Sequence, residues 1–298
     1  MSIGVFDRHR KIIISIPFLW IGLFVVVAFI LLLLISFSAP EFGVIPYKFL
    51  FQFQDNGLEI KPDLNSYQII FQDSFYLKSL INSLKLASIS TLFTFVLAYP
   101  MAHLIANSNP NNRLLLLILV ITPFCTALLI RVYGWIIILK KNGLLNQFLL
   151  WTGIIEDPIL LLNSQTAIVI GIVYTYLPFM ILPIYSSLLK INPNVLEAAA
   201  DLGAKPFSIF WQITFPLSVP GVIVGVILVF IPAIGEFVIP DLLGGAKIMT
   251  IGKLLWTEFF MNRDWPIASA ITILIVLIVV IPIKILHKFL SNDEIKEI

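Results

Sequence analysis

Charge is what this sequence lacks most. Only 12% of its 298 residues are Asp, Glu, Lys or Arg, about half of what coats a soluble domain of this size. Such a chain cannot cover a globular surface with water-facing groups, and lipid is the solvent its composition implies. Cysteine is nearly absent: Cys125 stands alone in an apolar run, so no intrachain disulfide can form. No basic run interleaved with aromatics appears, and the net charge is +2, which argues against nucleic acid as a partner. A phosphate-cradling G-x-x-x-x-G-K-[ST] loop is missing too. Its nearest counterpart, Gly252-Lys253, has Lys247 in place of the first glycine and Leu254 in place of the hydroxyl residue. Neither G-x-S-x-G nor H-E-x-x-H occurs, and His9, His103 and His287 lack metal-ligand spacing. No catalytic residue, metal or cofactor is therefore expected.

What the chain has is long apolar runs. Hydrophobic residues make up 59% and the mean hydropathy is +1.00. A spanning helix needs about 20 mostly apolar residues, and backbone groups in hydrocarbon must be bonded within their own segment. Six runs qualify, at about Ile12–Phe37, Ser83–Ala106, Leu114–Leu139, Thr166–Leu189, Leu217–Ile239 and Ile267–Leu290. The first is too long for the apolar core of a signal peptide. The expectation is an all-α, polytopic membrane protein of six transmembrane helices, one domain over residues 1–298, with lipid as its surroundings. An even number of spans puts both termini on one side. Counting Lys and Arg does not decide which side. Their density at Arg8, Arg10, Lys11, Lys284 and Lys288 favours the inside for both termini.

The polar stretch Ser38–Lys78 is rich in turn residues, with a short surface helix expected from Ser66 towards Lys78. More informative is the connection at residues 190–216, between the fourth and fifth spans. Asn192-Pro193 reads as a helix start, an N-cap followed by a proline that tolerates the first helical position. Ala198, Ala199 and Ala200 favour helix with minimal side chains, and Gly203 supplies a stop. Lys205-Pro206 begins a second short helix leading to Ile213 and Pro216. The product is a helix–glycine turn–helix knob at the membrane surface.

This stretch resembles the EAA loop of permeases in ABC importers: Glu-Ala-Ala, three residues, Gly, nine residues, then Ile-x-Leu-Pro. The matching residues are Glu197, Ala198, Ala199, Gly203, Ile213 and Pro216, with Phe215 replacing the leucine. Tyr99-Pro100, Ile130 through Gly134, Leu177 through Met180, Ala199 through Ala204, Asp241 through Gly245 and Asn262 through Pro266 are similar to the spermidine/putrescine permease family. The resemblance implies a type I ABC importer permease fold in a bacterial inner membrane. It makes residues 190–216 a cytoplasmic coupling loop, with Glu197, Ala198, Ala199, Asp201, Gly203 and Ala204 facing an ATPase, and places both termini in the cytoplasm. The implied partners are an ATP-binding subunit dimer, a second related permease and a periplasmic substrate-binding protein. The implied cargo is a polyamine.

A polyamine path needs carboxylates and aromatic faces, each cation–π contact contributing about 0.5–2 kcal/mol. Pro232, Gly235 and Pro240 near the end of the fifth run suggest a broken helix lining a cavity. A charge in mid-span costs about 2.5–3.5 kcal/mol, so Glu236 is expected to face protein or water. Glu236, Asp241, Tyr174 and Trp135 are the expected border of the path; the alternative for Glu236 is a pairing with a basic residue near the outer interface. Arg131, the other charge in an apolar run, is expected to be structural. Competing readings are a permease for ferric iron or sulfate, which would share fold and loop, and an ion-coupled carrier, which would leave the loop pattern unexplained. An intramembrane enzyme would need a nucleophile–base pair that is not visible.

Overall fold

Apolar runs this long in a chain with so few charges fold as helices, and a computed structural model, describing residues 3–48, 50–54 and 57–294, shows them. In chain order the helices are α1 (Ile3–Ser36), α2 (Asn65–Gln72), α3 (Ser74–Ala106), α4 (Pro110–Ile121), α5 (Leu128–Leu139), α6 (Leu144–Trp151), α7 (Gln165–Leu188), α8 (Pro193–Asp201), α9 (Pro206–Ile209), α10 (Phe215–Gly235), α11 (Val238–Gly244), α12 (Ile251–Trp256) and α13 (Trp265–Glu294). A small antiparallel hairpin, Phe51–Gln54 with Gly57–Ile60, is the addition to the expected all-α architecture.

Among the described residues, four helical segments are long and apolar enough to cross a membrane: Ile14–Ser36, Ser74–Ala106, Gln165–Leu188 and Pro206–Gly235. The third expected span is not a straight helix over 114–139. Pro110–Cys125 and Leu128–Trp151 meet at 91°. Pro123 lacks an amide hydrogen and sits in a tight turn, Thr122–Cys125, after which Thr126 and Ala127 are extended. The Thr126 hydroxyl donates to the Pro123 carbonyl at 2.7 Å and satisfies one of the freed groups. Counted as one broken span, the pair makes a fifth, and the sixth expected run lies within α13, Trp265–Glu294. A second correction concerns Pro216. It does not close a separate short helix, because the chain is helical from Pro206 to Gly235. A π-helical stretch, Phe210–Thr214, widens the helix just before Pro216, the register change by which a helix absorbs a residue without an N–H.

The chain divides into two compact units. In the unit formed by Met1–Leu77 and Leu255–Ile278, most apolar side chains of α1 from Ile14 to Leu33 are exposed. Phe18 is 76% and Trp20 65% exposed, which fits a helix solvated by lipid rather than by protein. Tyr67 donates to Ser36 Oγ at 2.9 Å and anchors α2 under the end of α1. The buried Glu258 carboxylate accepts from Tyr76 at 2.9 Å and from Asn262 Nδ2 at 2.8 Å. The Asn262-to-Pro266 run is a helix start: Arg263 takes φ 54°, and Asp264 Oδ1 accepts from the Ile267 amide at 3.0 Å to cap α13.

In the unit formed by Lys78–Leu254 and Val279–Ile298, α7 and α10 pair extensively. Its cause is a small-residue seam. A side chain at Gly221 would stand 2.5 Å from the Pro183 carbonyl oxygen, and one at Gly225 would stand 2.6 Å from Met180 Sδ. Lipid supplies no hydrophobic drive between helices, so close backbone approach of this kind holds them together. Around the seam, Ala98, Tyr99 and Ala102 of α3 pack with Met180, Ile181 and Ile184 of α7 and Val229 of α10.

Candidate functional site

Two places carry the expected functional residues. The first is the knob. Asn192 Oδ1 accepts from the Asn194 amide at 3.0 Å, with Pro193 at the first helical position. At the other end Gly203, at φ 82°, donates to the Ala200 carbonyl at 2.9 Å, and Ala204 donates to the Ala199 carbonyl at 3.1 Å. That pair of bonds is a Schellman turn, whose left-handed residue is cheapest as glycine. Both ends of α8 are thus satisfied locally, and none of its residues is buried. Glu197, Ala198, Asp201 and Gly203 are exposed, and Ala199 and Ala204 half-buried. Leu202 is 90% and Phe207 76% exposed; these two apolar side chains were not singled out from the sequence, although both lie in the loop. Behind the knob, the Phe210 and Phe215 rings each lie 5.6 Å from the Tyr99 ring. The Tyr99 hydroxyl shares a 2.8 Å hydrogen bond with Ser218, so packed rings join the base of the knob to α3.

The second place is the break after α10. Gly235 ends the helix and Glu236 is extended, with ψ 129°. The half-buried Glu236 carboxylate accepts from the Tyr176 hydroxyl at 2.6 Å and from the Val238 amide at 3.0 Å. Of the four expected path residues, Trp135 and Tyr174 meet edge to face, 5.5 Å between centroids. Asp241 instead forms an ion pair with Lys253, 2.8 Å from Nζ. The tyrosine that holds Glu236 is therefore Tyr176 and not Tyr174. Two positions apart on a helix point about 200° apart, and nothing in the local sequence ranks one above the other. Arg131 stands over Phe124, its guanidinium carbon 5.4 Å from the centre of the ring. Among the described residues no group of three or more His, Cys, Asp or Glu could hold a metal ion.

The profile of the family described as the binding-protein-dependent transport system inner membrane component matches residues 5–294. The chain belongs to that family. This inner membrane component is 38% identical over 267 residues to a spermidine/putrescine transport system permease protein PotB of Haemophilus influenzae, covering 90% of this chain and 89% of that one. It is 41% identical over 239 residues to the PotB of Escherichia coli, covering 80% and 86%. In structure it is similar to a chain of a bacterial ABC transporter that imports the acidic polysaccharide alginate, with a TM-score of 0.67 at 18% identity over 92% of each chain; that likeness speaks for the fold. This inner membrane component is a multi-pass inner-membrane protein and a non-catalytic part of a transport system that depends on a binding protein.

Proposed function

We propose that this inner membrane component is one permease subunit of an ATP-driven polyamine importer, with putrescine or spermidine as cargo. Residues 190–216 face the cytoplasm, as do both termini, and Glu197, Ala198, Ala199, Asp201, Gly203 and Ala204 seat the knob in a cleft of a separate ATP-binding subunit dimer. A second, related permease completes the membrane path, and a periplasmic binding protein delivers the solute. The observation that carries this reading is the knob itself: a short helix closed at its start by the Asn192 side chain and at its end by its own backbone, and presenting Leu202 and Phe207 uncovered. Such a surface suits a protein partner better than water. The cargo is supported by the identity to spermidine/putrescine permeases. It is further supported by the chemistry of a half-buried carboxylate and an aromatic pair in one unit.

In this reading Glu236 is the anionic group of the cation path, and Tyr174 and Trp135 offer ring faces along it. Asp241 borders the path while neutralised by Lys253. The test is uptake of radiolabelled putrescine and spermidine by cells whose only polyamine importer is the complete system containing this chain. Uptake that needs ATP and the binding protein, and that disappears when this chain alone is deleted, is the expected result. Transport by this chain alone in liposomes, or a system that moves neither amine, would overturn the proposal. Glu236→Gln should lower uptake with assembly intact; unchanged kinetics would remove Glu236 from the path.

A further inference from the structure

At the foot of the knob lies a cavity of about 350 Å³, lined among others by His103, Ala106, Asn107, Arg113, Leu196 and Thr214. Its wall comes from the end of α3, the start of α4, the end of α7 and the start of α8. None of the side chains lining it is acidic. Arg113 closes the turn between α3 and α4, donating from Nη2 to the carbonyls of Ala106 at 2.8 Å and Ser108 at 3.2 Å. Both bonds leave from the same nitrogen, while Nε is buried with no hydrogen-bond partner. The remaining edge of the planar guanidinium fork is the part available to an acceptor.

The histidine adds a second donor. Asn107 Nδ2 donates to the His103 carbonyl at 3.0 Å and lies 3.1 Å from His103 Nε2. The carbonyl can only accept, which fixes that amide atom as nitrogen and makes Nε2 the acceptor, so the ring proton sits on Nδ1. His103 Nδ1 is likewise buried with no partner. Two residues that each carry a buried donor without a partner, one of them a permanent cation, line a cavity whose described lining includes no carboxylate. A buried donor without an acceptor is costly, and the group that best satisfies an arginine fork is a phosphate.

We propose that this cavity binds a phosphate group, supplied by the headgroup of an anionic phospholipid or by a soluble phosphate compound. Basic pockets between membrane helices hold lipid phosphates at the cytoplasmic face, and the volume is that of an ordinary ligand site. Its side of the membrane rests on the orientation in the proposed function; its chemistry does not. A ligand seated between α3, α4 and α8 would brace the foot of the knob and so tune coupling.

The test uses the full-length chain, purified in detergent with its transport partners. Native mass spectrometry measures retention of added phosphatidylglycerol against phosphatidylcholine. Thermal unfolding is followed in sodium phosphate against sodium chloride of equal ionic strength. Arg113→Gln removes the cation. Ala106→Leu fills the cavity while leaving Arg113 and both of its carbonyl acceptors, so it keeps the test decisive if Arg113→Gln misfolds. Both variants should bind the phosphate-bearing probe about tenfold more weakly than the native chain, the loss expected for one charge-assisted hydrogen bond. Selective loss of phosphatidylglycerol points to the lipid, and selective loss of stabilisation by inorganic phosphate points to the soluble source. Equal binding of both probes by the native chain and Ala106→Leu would overturn the proposal. None of these readings uses polyamine uptake, so this site and the cargo stand or fall separately.

Discussion

The knob at residues 190–216 and the paired helices α7 and α10 both depend on glycine and proline, in opposite ways. In the knob these residues shape the backbone. Pro193 starts α8 and Gly203 ends it, every cap is local in sequence, and the side chains remain uncovered. In the pair, Gly221 and Gly225 leave room, and what they make room for is forty residues or so away in the chain. One region can be built by itself and offered to a partner, whereas the other exists only as a contact. The difference separates a part made to dock from a part made to hold, and it predicts where substitutions harm folding and where they harm coupling.

The largest effect should come from Gly221→Leu. A side chain there meets the Pro183 carbonyl oxygen, backbone that cannot swing aside. Overpacking of this kind costs about 3 kcal/mol at the upper end of its usual range, so the variant should lose its monodisperse peak in size-exclusion chromatography. A normal peak with normal uptake would show that the seam is not what joins the helices.

Gly203→Val should do the reverse. A β-branched residue at φ 82° is strained by about 1–2 kcal/mol, but the turn is exposed and little else depends on it. Thermal stability should drop by a few degrees at most while ATP-dependent uptake collapses, because the knob no longer presents its face in register. Equal loss of stability and uptake would mean that the knob is structural, and the contrast drawn above would fail.

The same contrast explains what could be read in advance. The caps of α8, the glycine stop and the break near Glu236 were legible because each is written in neighbouring residues: Asn192-Pro193, Gly203, and Pro232 with Gly235. The right-angle bend after Pro123 was not, because a proline in an apolar run is compatible with a kink as well as with a break. Nor were the long-range partners. Tyr176 and Tyr174 look alike in sequence, and only the packing of α7 on the chain that follows α10 decides which one meets the carboxylate. Lys253 became the partner of Asp241 for the same reason, through a contact twelve positions away that no local pattern announces.

Tyr176→Phe sharpens this point. It deletes the 2.6 Å hydrogen bond to Glu236 and leaves the ring. Loss of a bond to a charged acceptor should cost about 1–2 kcal/mol, read as a lowered unfolding temperature in detergent, while Tyr174→Phe should leave it unchanged. Similar shifts for both would show that the hydroxyl at 176 contributes nothing specific.

The smallest effect on stability is expected at Asp241, and it is the most discriminating. Its side chain is 52% exposed, so the Asp241 end of the ion pair is open to solvent while Lys253 is 16% exposed. Exposed pairs contribute about 0–1 kcal/mol, and Lys253 keeps a second acceptor, the Gly245 carbonyl at 3.3 Å. Asp241→Asn should therefore unfold within a degree or two of the native chain. Uptake then separates two roles that stability cannot. If Asp241 only anchors Lys253, the maximal rate and the apparent affinity for putrescine stay as they were. If Asp241 also borders the cation path, affinity falls with no loss of stability, and the deficit shrinks at high salt, where an exposed carboxylate is already screened. That second outcome would extend the cation path from Glu236 and Tyr174 onto α11.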